Sequence, residues 1–325
     1  RSRIIGSVGN PNFMSALLGI TGVALFALTI HAWRIKIRSI LYGLMSLAEF
    51  LLALATDSVQ GPIIYGLGIF IILVFHLHRL KYRKSLVLFS SFGFLALFTI
   101  VLGVAKLGPL ANILYQYTLG VRVQYWRAAI KMMANSPWTG VGVDSYGDNY
   151  RLVRDKTTFN TVGPDVFSNA AHSVPLHLGA TFGVISLAAY VLVQLFVVYR
   201  FFKTYKSQND NSILFAGLFA AWLSYQAQSL ISIDQLGIAI WGWILSGLIL
   251  GISYSYSENL INSSVETKEN QKNTNKKSRT RAKQQISYSM ISFAIFSSVV
   301  GTAVMWKIAY APDLDRKSTR LNSSH

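Results

Sequence analysis

Long apolar runs alternate with short polar turns along this chain, and the lengths of the runs set its architecture. Apolar stretches recur at about residues 13–33, 39–55, 62–78, 86–105, 175–199, 213–231, 236–252 and 288–310. Each has the roughly 17–25 residues that an α-helix needs to cross the hydrocarbon core of a bilayer. In that medium a segment must satisfy its own backbone hydrogen bonds, which favours helices over open sheets. The expected fold is all-α, a polytopic transmembrane helical bundle of about eight spans. One interval breaks the rhythm: residues 106–172 form a long polar loop between the fourth and fifth spans. Water reaches the chain there, so aqueous chemistry has a place to occur.

Within the loop, Val121 to Asn135 has helical periodicity, and Ser136-Pro137 ends it because the residue before a proline is pushed out of the α region. At about 100° per residue Arg122, Trp126, Ala129 and Met133 share one face, with Gln124, Lys131 and Asn135 opposite. Arg122 thus falls on the apolar stripe, where it snorkels to water, meets an acid or faces a ligand, and its planar donor fork suits a phosphate. Gly140 and Gly142 then permit a tight turn or a close backbone approach to a ligand. Arg151, Arg154 and Lys156 make the middle of the loop basic against Asp144, Asp148, Asp155 and Asp165, either for a ligand or as a solvated surface. Pro175 fits the first turn of the next helix, which puts His172 at its mouth. Down that helix His172, Leu176, Gly179 and Gly183 share a face, and the Gly179 and Gly183 pair permits close packing. His172 therefore looks toward protein, as a proton acceptor for a hydroxyl or as a satisfied structural residue.

Composition agrees with the membrane reading: 52% of residues are apolar and 13% charged, where a soluble domain has about a quarter charged. The net charge of +17 would suggest nucleic acid in a soluble protein, but the excess lies beside the spans, so no nucleic-acid partner is expected. Without cysteine there is neither a disulfide framework nor a thiolate site. The loops after spans one, three and five carry 3, 4 and 3 Lys or Arg, whereas those after spans two and six carry Asp57 and Asp234 and no base. This asymmetry predicts that the first set is cytoplasmic and the 106–172 loop external, with membrane lipids around the spans. Residues 1–251 form the expected membrane core, 252–287 a cytoplasmic disordered linker rich in Lys and Asn, and 288–310 a further span. Glu49, inside the second span, faces the bundle or is protonated. Both ends read as cut from a longer frame, and residues 315–325 (DRKSTRLNSSH) as a translated sequencing adapter, whose removal lowers the charge from +17 to +15.

No Walker loop, dinucleotide fingerprint, HExxH or GxSxG occurs, and metal ligands do not cluster. Four short patterns do stand in order: Gly9-Asn10-Pro11-Asn12 opening a span, Arg122-xxx-Trp126, Pro137-xx-Gly140-x-Gly142, and Ala171-His172-Ser173-xx-Leu176 followed by Gly183. Together they resemble the O-antigen ligase and polymerase superfamily of bacterial envelope glycan enzymes over about residues 1–251. The resemblance implies a multi-pass inner-membrane glycosyltransferase that moves a glycan from undecaprenyl diphosphate to an acceptor glycolipid or protein on the outer face. It implies no nucleotide, metal or other cofactor. It also implies His172 as base on the acceptor and Arg122 on the diphosphate, with Arg3, Gln60, Trp126, Gly140, Gly142, Arg151, Arg154 and Asp234 as substrate contacts. Two departures stand out. The turn after span two, often S-R-G in the family, reads Ser58-Val59-Gln60-Gly61 and lacks its arginine, and the usual His-Asn is His172-Ser173. The same fold serves polymerases and proteins once proposed as bicarbonate transporters. A transporter places polar residues along several spans near the midplane, whereas these spans are nearly bare of charge apart from Glu49, which favours the enzyme.

Overall fold

A computed structural model of the protein describes residues 9–108, 111–112, 119–155, 158, 163, 168–206 and 212–272. The chain forms two compact units, Arg1–Val265 and Glu266–His325. Of the second, residues 266–272 are described, as helix. Every regular element among the described residues is helical. Asn10 opens α1 (Pro11–His31) by accepting the Asn12 amide at 2.8 Å, with Pro11 in the first turn. A short 3-10 turn leads to α2 (Lys36–Ala55), α3 (Gln60–Arg79) and α4 (Arg83–Val104). The polar loop contributes α5 (Leu119–Asn135) and α6 (Tyr146–Val153), and α7 (Val174–Tyr205), α8 (Ser212–Ser229) and α9 (Leu236–Lys272) follow.

Six of these helices are long and apolar enough to cross a membrane: α1, α2, α3, α4, α7 and α9 as far as Glu258. The remaining long helix, α8, corresponds to the apolar run at 213–231 and carries Tyr225, Gln226 and Gln228 near its end. It compensates by position, since Phe215, Ala216, Phe219, Ala220, Ala221 and Trp222 are all buried against α1, α3 and α7. Close approach is made by small residues: a Cβ on Gly217 would lie 2.2 Å from that of Ala27. The lipid-facing work falls to α2 and α4, whose Leu44, Leu88 and Phe92 are exposed. Glu49 faces the bundle, its carboxylate 2.5 Å from the Thr21 hydroxyl of α1.

α9 continues through Lys272, well into the stretch expected to be a linker, across residues that include no Gly or Pro to stop it. The expected span at 288–310 and the tail at 315–325 lie outside the described residues.

Two local structures position the functional end. The first is the turn between α2 and α3. Ser15 on α1 accepts the Gly61 amide at 3.2 Å, and Ser58 donates to Asn12 at 2.8 Å. Gly61 leaves no room for a side chain, since a Cβ would meet the Ser15 carbonyl oxygen at 2.2 Å. The start of α3 is thereby fixed to the start of α1. The second is a break in α7 at Gly183, whose φ of 84° and ψ of 177° are open to glycine alone. Backbone groups freed there are taken up by the Pro137–Gly142 segment: Val141 donates to Ala180 at 2.9 Å, Gly142 to Thr181 at 3.0 Å, and Val184 to Pro137 at 2.7 Å. Gly179 does pack closely, against Met133. Gly183, by contrast, is the hinge of the broken helix and not a second member of a straight packing face.

Beside this break α5, α6 and the start of α7 close on a small core of Tyr125, Ala128, Ala129, Met132, Tyr146, Tyr150, Ala171 and Ala180. The buried stripe of α5 is therefore centred on Tyr125 and Met132, with Arg122 and Trp126 on one flank. Gln124, expected on the polar face, is buried and accepts a hydrogen bond from Thr158 at 3.2 Å.

Candidate active site

Arg122 sits in the first turn of α5 and reaches Gln60, the first residue of α3. A guanidinium has donors only, so the Gln60 amide oxygen must face it. In that orientation the oxygen accepts from two guanidinium nitrogens at 2.6 and 3.1 Å, and the amide nitrogen donates to Gln228 of α8 at 3.1 Å. Three segments far apart in sequence are tied into one chain of hydrogen bonds. Burial disfavours the Arg122 charge and lowers its pKa, but from a starting value so high that the group stays protonated at any physiological pH.

His172 precedes α7 in the left-handed region, at φ 50°. Its carbonyl accepts the Trp126 indole N–H at 3.3 Å, and its ring stacks on Tyr125 with centroids 5.2 Å apart and planes 25° from parallel. Tyr125 is itself held by Tyr146, whose hydroxyl donates to the Tyr125 carbonyl at 2.7 Å. The pKa of His172 lies below the ordinary 6.5, first because the ring is buried and second because the Arg122 charge is near it. The imidazole is therefore neutral around pH 7, able to accept a proton.

Past Gln228 lies a pocket lined by Phe13, Val174, Tyr225, Asp234, Gln235 and Ile238. Partial burial raises the pKa of Asp234 above its usual value. The side-chain oxygen of Gln235 is buried without a hydrogen-bond partner.

Of the sequence candidates, the structure brings together Arg122, His172, Trp126 and Gln60, with Asp234 lining the pocket next to Gln228. Gly140 and Gly142 instead serve the α7 break: a Cβ on Gly140, at φ 67°, would lie 2.4 Å from the Thr181 carbonyl carbon. Arg151 is exposed on α6, and Arg154 lies near enough to Tyr150 for its charge to act on the phenol. Arg3 lies outside the described residues. Sequence reasoning gave no role to Tyr125 or Gln228. The available signals were an aromatic beside Trp126 and a pair of amides, Gln226 and Gln228, inside an apolar run.

Membrane-crossing helices that gather a guanidinium, an imidazole, two amides and a carboxyl at one end, beside a folded polar loop, define a multi-pass membrane protein equipped for polar chemistry next to the bilayer. No curated protein matches the chain. The family model described as O-antigen ligase matches residues 44–191. The matched part of the chain, which holds Gln60, Arg122, Trp126 and His172, is similar to that family. The match supports a membrane glycan-processing function of the O-antigen ligase or polymerase type.

Proposed function

We propose that the protein transfers a glycan from undecaprenyl diphosphate to a hydroxyl of an acceptor glycolipid or protein at the outer face of the bacterial inner membrane. The observation that supports this best is the Arg122 guanidinium, clamped by Gln60 and close enough to His172 to depress its pKa. In this reading His172 takes the proton of the acceptor hydroxyl as its oxygen attacks the anomeric carbon. The glycan–phosphate bond breaks, its electron pair stays on the diphosphate, and Arg122 stabilises the charge that develops there. In this reading the guanidinium meets part of the charge that develops on the leaving group.

Gln60, standing where the resemblance expects an arginine, takes a different part. It brings no charge, but it fixes the guanidinium through two of its nitrogens and leaves the other donors for phosphate oxygens. The hollow beyond Gln228, lined by Asp234 and the unpartnered oxygen of Gln235, is only about 10 Å³, room for about one water and not for an acceptor.

The test is glycan transfer in a strain lacking its own transferase, read on a gel beside protein abundance. Arg122→Ala is expected to lose on the order of 3 kcal/mol of transition-state stabilisation, about a hundredfold in rate. Arg122→Lys keeps the charge but not the fork and restores only part. Arg127, exposed on the same helix, is the control. Equal loss in Arg127→Ala and Arg122→Ala, at equal abundance, overturns the assignment.

A further inference from the structure

The end of the bundle opposite Arg122 holds a second polar cluster that glycan transfer does not use. There α1 and α3 end and α8 begins. Between them lies a pocket of about 490 Å³ lined by Ile30, His31, Arg34, His76, Arg79 and Ile213, with Trp33 and Leu80 also contributing. Two guanidinium groups and two imidazoles share the hollow, and its described lining includes no carboxylate. Cations at helix C-termini complement the macrodipole, which explains His31, His76 and Arg79 in the last turns of α1 and α3. It does not explain why four such groups surround one cavity without a counter-charge. Nor does it explain the His76 Nδ1 atom, which is buried with no hydrogen-bond partner.

Two planar donor forks and two imidazoles suit a phosphate. The setting separates a lipid phosphate from a free one. The pocket lies at the ends of membrane-crossing helices, which is headgroup depth, and part of its wall is apolar, from Ile30, Leu80 and Ile213. Trp33 stands 76% exposed beside it, and an indole in that position prefers the membrane interface. Free phosphate has no use for apolar walls, whereas a phospholipid brings glycerol and acyl carbons to them. Lys and Arg asymmetry also predicts this end to be cytoplasmic, the leaflet surface where anionic lipids meet basic pockets between helices.

We propose that this pocket binds the phosphate of an anionic phospholipid headgroup, with Arg34 and Arg79 as its principal donors. The site is independent of the transfer reading, and its failure would leave Arg122 and His172 untouched.

The experiment titrates the detergent-solubilised full chain with palmitoyl-oleoyl phosphatidylglycerol and counts bound lipid by native mass spectrometry. Parallel arms use the matching phosphatidylcholine and inorganic phosphate. Phosphatidylglycerol is expected to bind and phosphatidylcholine not. A basic side chain at the membrane surface contributes about 1 kcal/mol, so Arg34→Gln and Arg79→Gln should each weaken binding about fivefold, and the pair about thirtyfold. Arg83→Gln, exposed and outside the pocket, should change nothing. Equal binding of both lipids, or equal loss in Arg83→Gln, overturns the proposal. Competition by inorganic phosphate at the concentration of the lipid overturns the lipid assignment in favour of a free anion. If the glutamine variants fail to fold, photoreactive phosphatidylglycerol on the unaltered protein decides. Capture on peptides covering residues 30–34 and 76–80 supports the site, and capture elsewhere refutes it.

Discussion

Replacing Gly183 with alanine attacks the joint that holds the polar loop to the bundle, and its cost follows from the backbone. At φ 84° and ψ 177° a residue with a Cβ is strained by about 1–3 kcal/mol. The added methyl would also lie 2.4 Å from the Trp138 carbonyl oxygen and 2.7 Å from that of Pro137, backbone atoms that cannot rotate aside. Room appears only if the Pro137–Gly142 segment undocks, which gives up its three hydrogen bonds to Ala180, Thr181 and Val184, at about 1 kcal/mol each. The expected destabilisation is about 4–6 kcal/mol. Gly66→Ala in α3 is the matched control, because a Cβ there meets nothing within 4 Å and should stabilise by about 0.4–1 kcal/mol. Fluorescence-detected size exclusion after stepwise heating compares the two with the unaltered protein. A Gly183→Ala protein that survives heating as well as Gly66→Ala would refute the docking argument.

Two other predictions concern pH and topology. Because the pKa of His172 lies below 6.5, the base loses activity only as pH falls through that lower value, so the acid limb of kcat/KM lies below pH 6.5. Removing the neighbouring charge with Arg122→Gln lets the pKa rise and moves the limb to higher pH, and an unmoved limb would show that the two groups are not coupled. Single cysteines placed in this cysteine-free chain at Leu152 and Tyr82, both exposed, report topology with a membrane-impermeant thiol reagent on intact spheroplasts. Labelling at Leu152 with Tyr82 spared is expected, and the reverse pattern inverts the orientation.

What the sequence made legible was local. Run lengths located the helices, and Pro175 and Ser136-Pro137 marked the start of α7 and the end of α5. What it hid depended on packing between distant segments. Gln60 and Arg122 are separated by α3, α4 and part of the loop, so nothing in either neighbourhood signals their hydrogen bonds. The Gly179 and Gly183 spacing reads the same for a straight packing face and a broken helix, and only the partner segment at Pro137–Gly142 decides between them. The face of α5 was offset because periodicity does not tell whether Trp126 or Tyr125 is the residue the small core closes on.

If His172 is the base of a glycan transfer, replacing it removes the proton acceptor and leaves the diphosphate contacts in place. Its ring contacts are a stack on Tyr125, and its carbonyl bond to Trp126 is made by the backbone, so His172→Ala should leave the fold and the abundance in place. Lipid-linked glycan and acceptor are supplied in a strain without its own transferase, and transferred product is measured against protein level. A loss of about 10²–10⁴-fold is expected, the usual contribution of a general base; transfer at the unaltered rate and normal abundance would show that His172 is not the base.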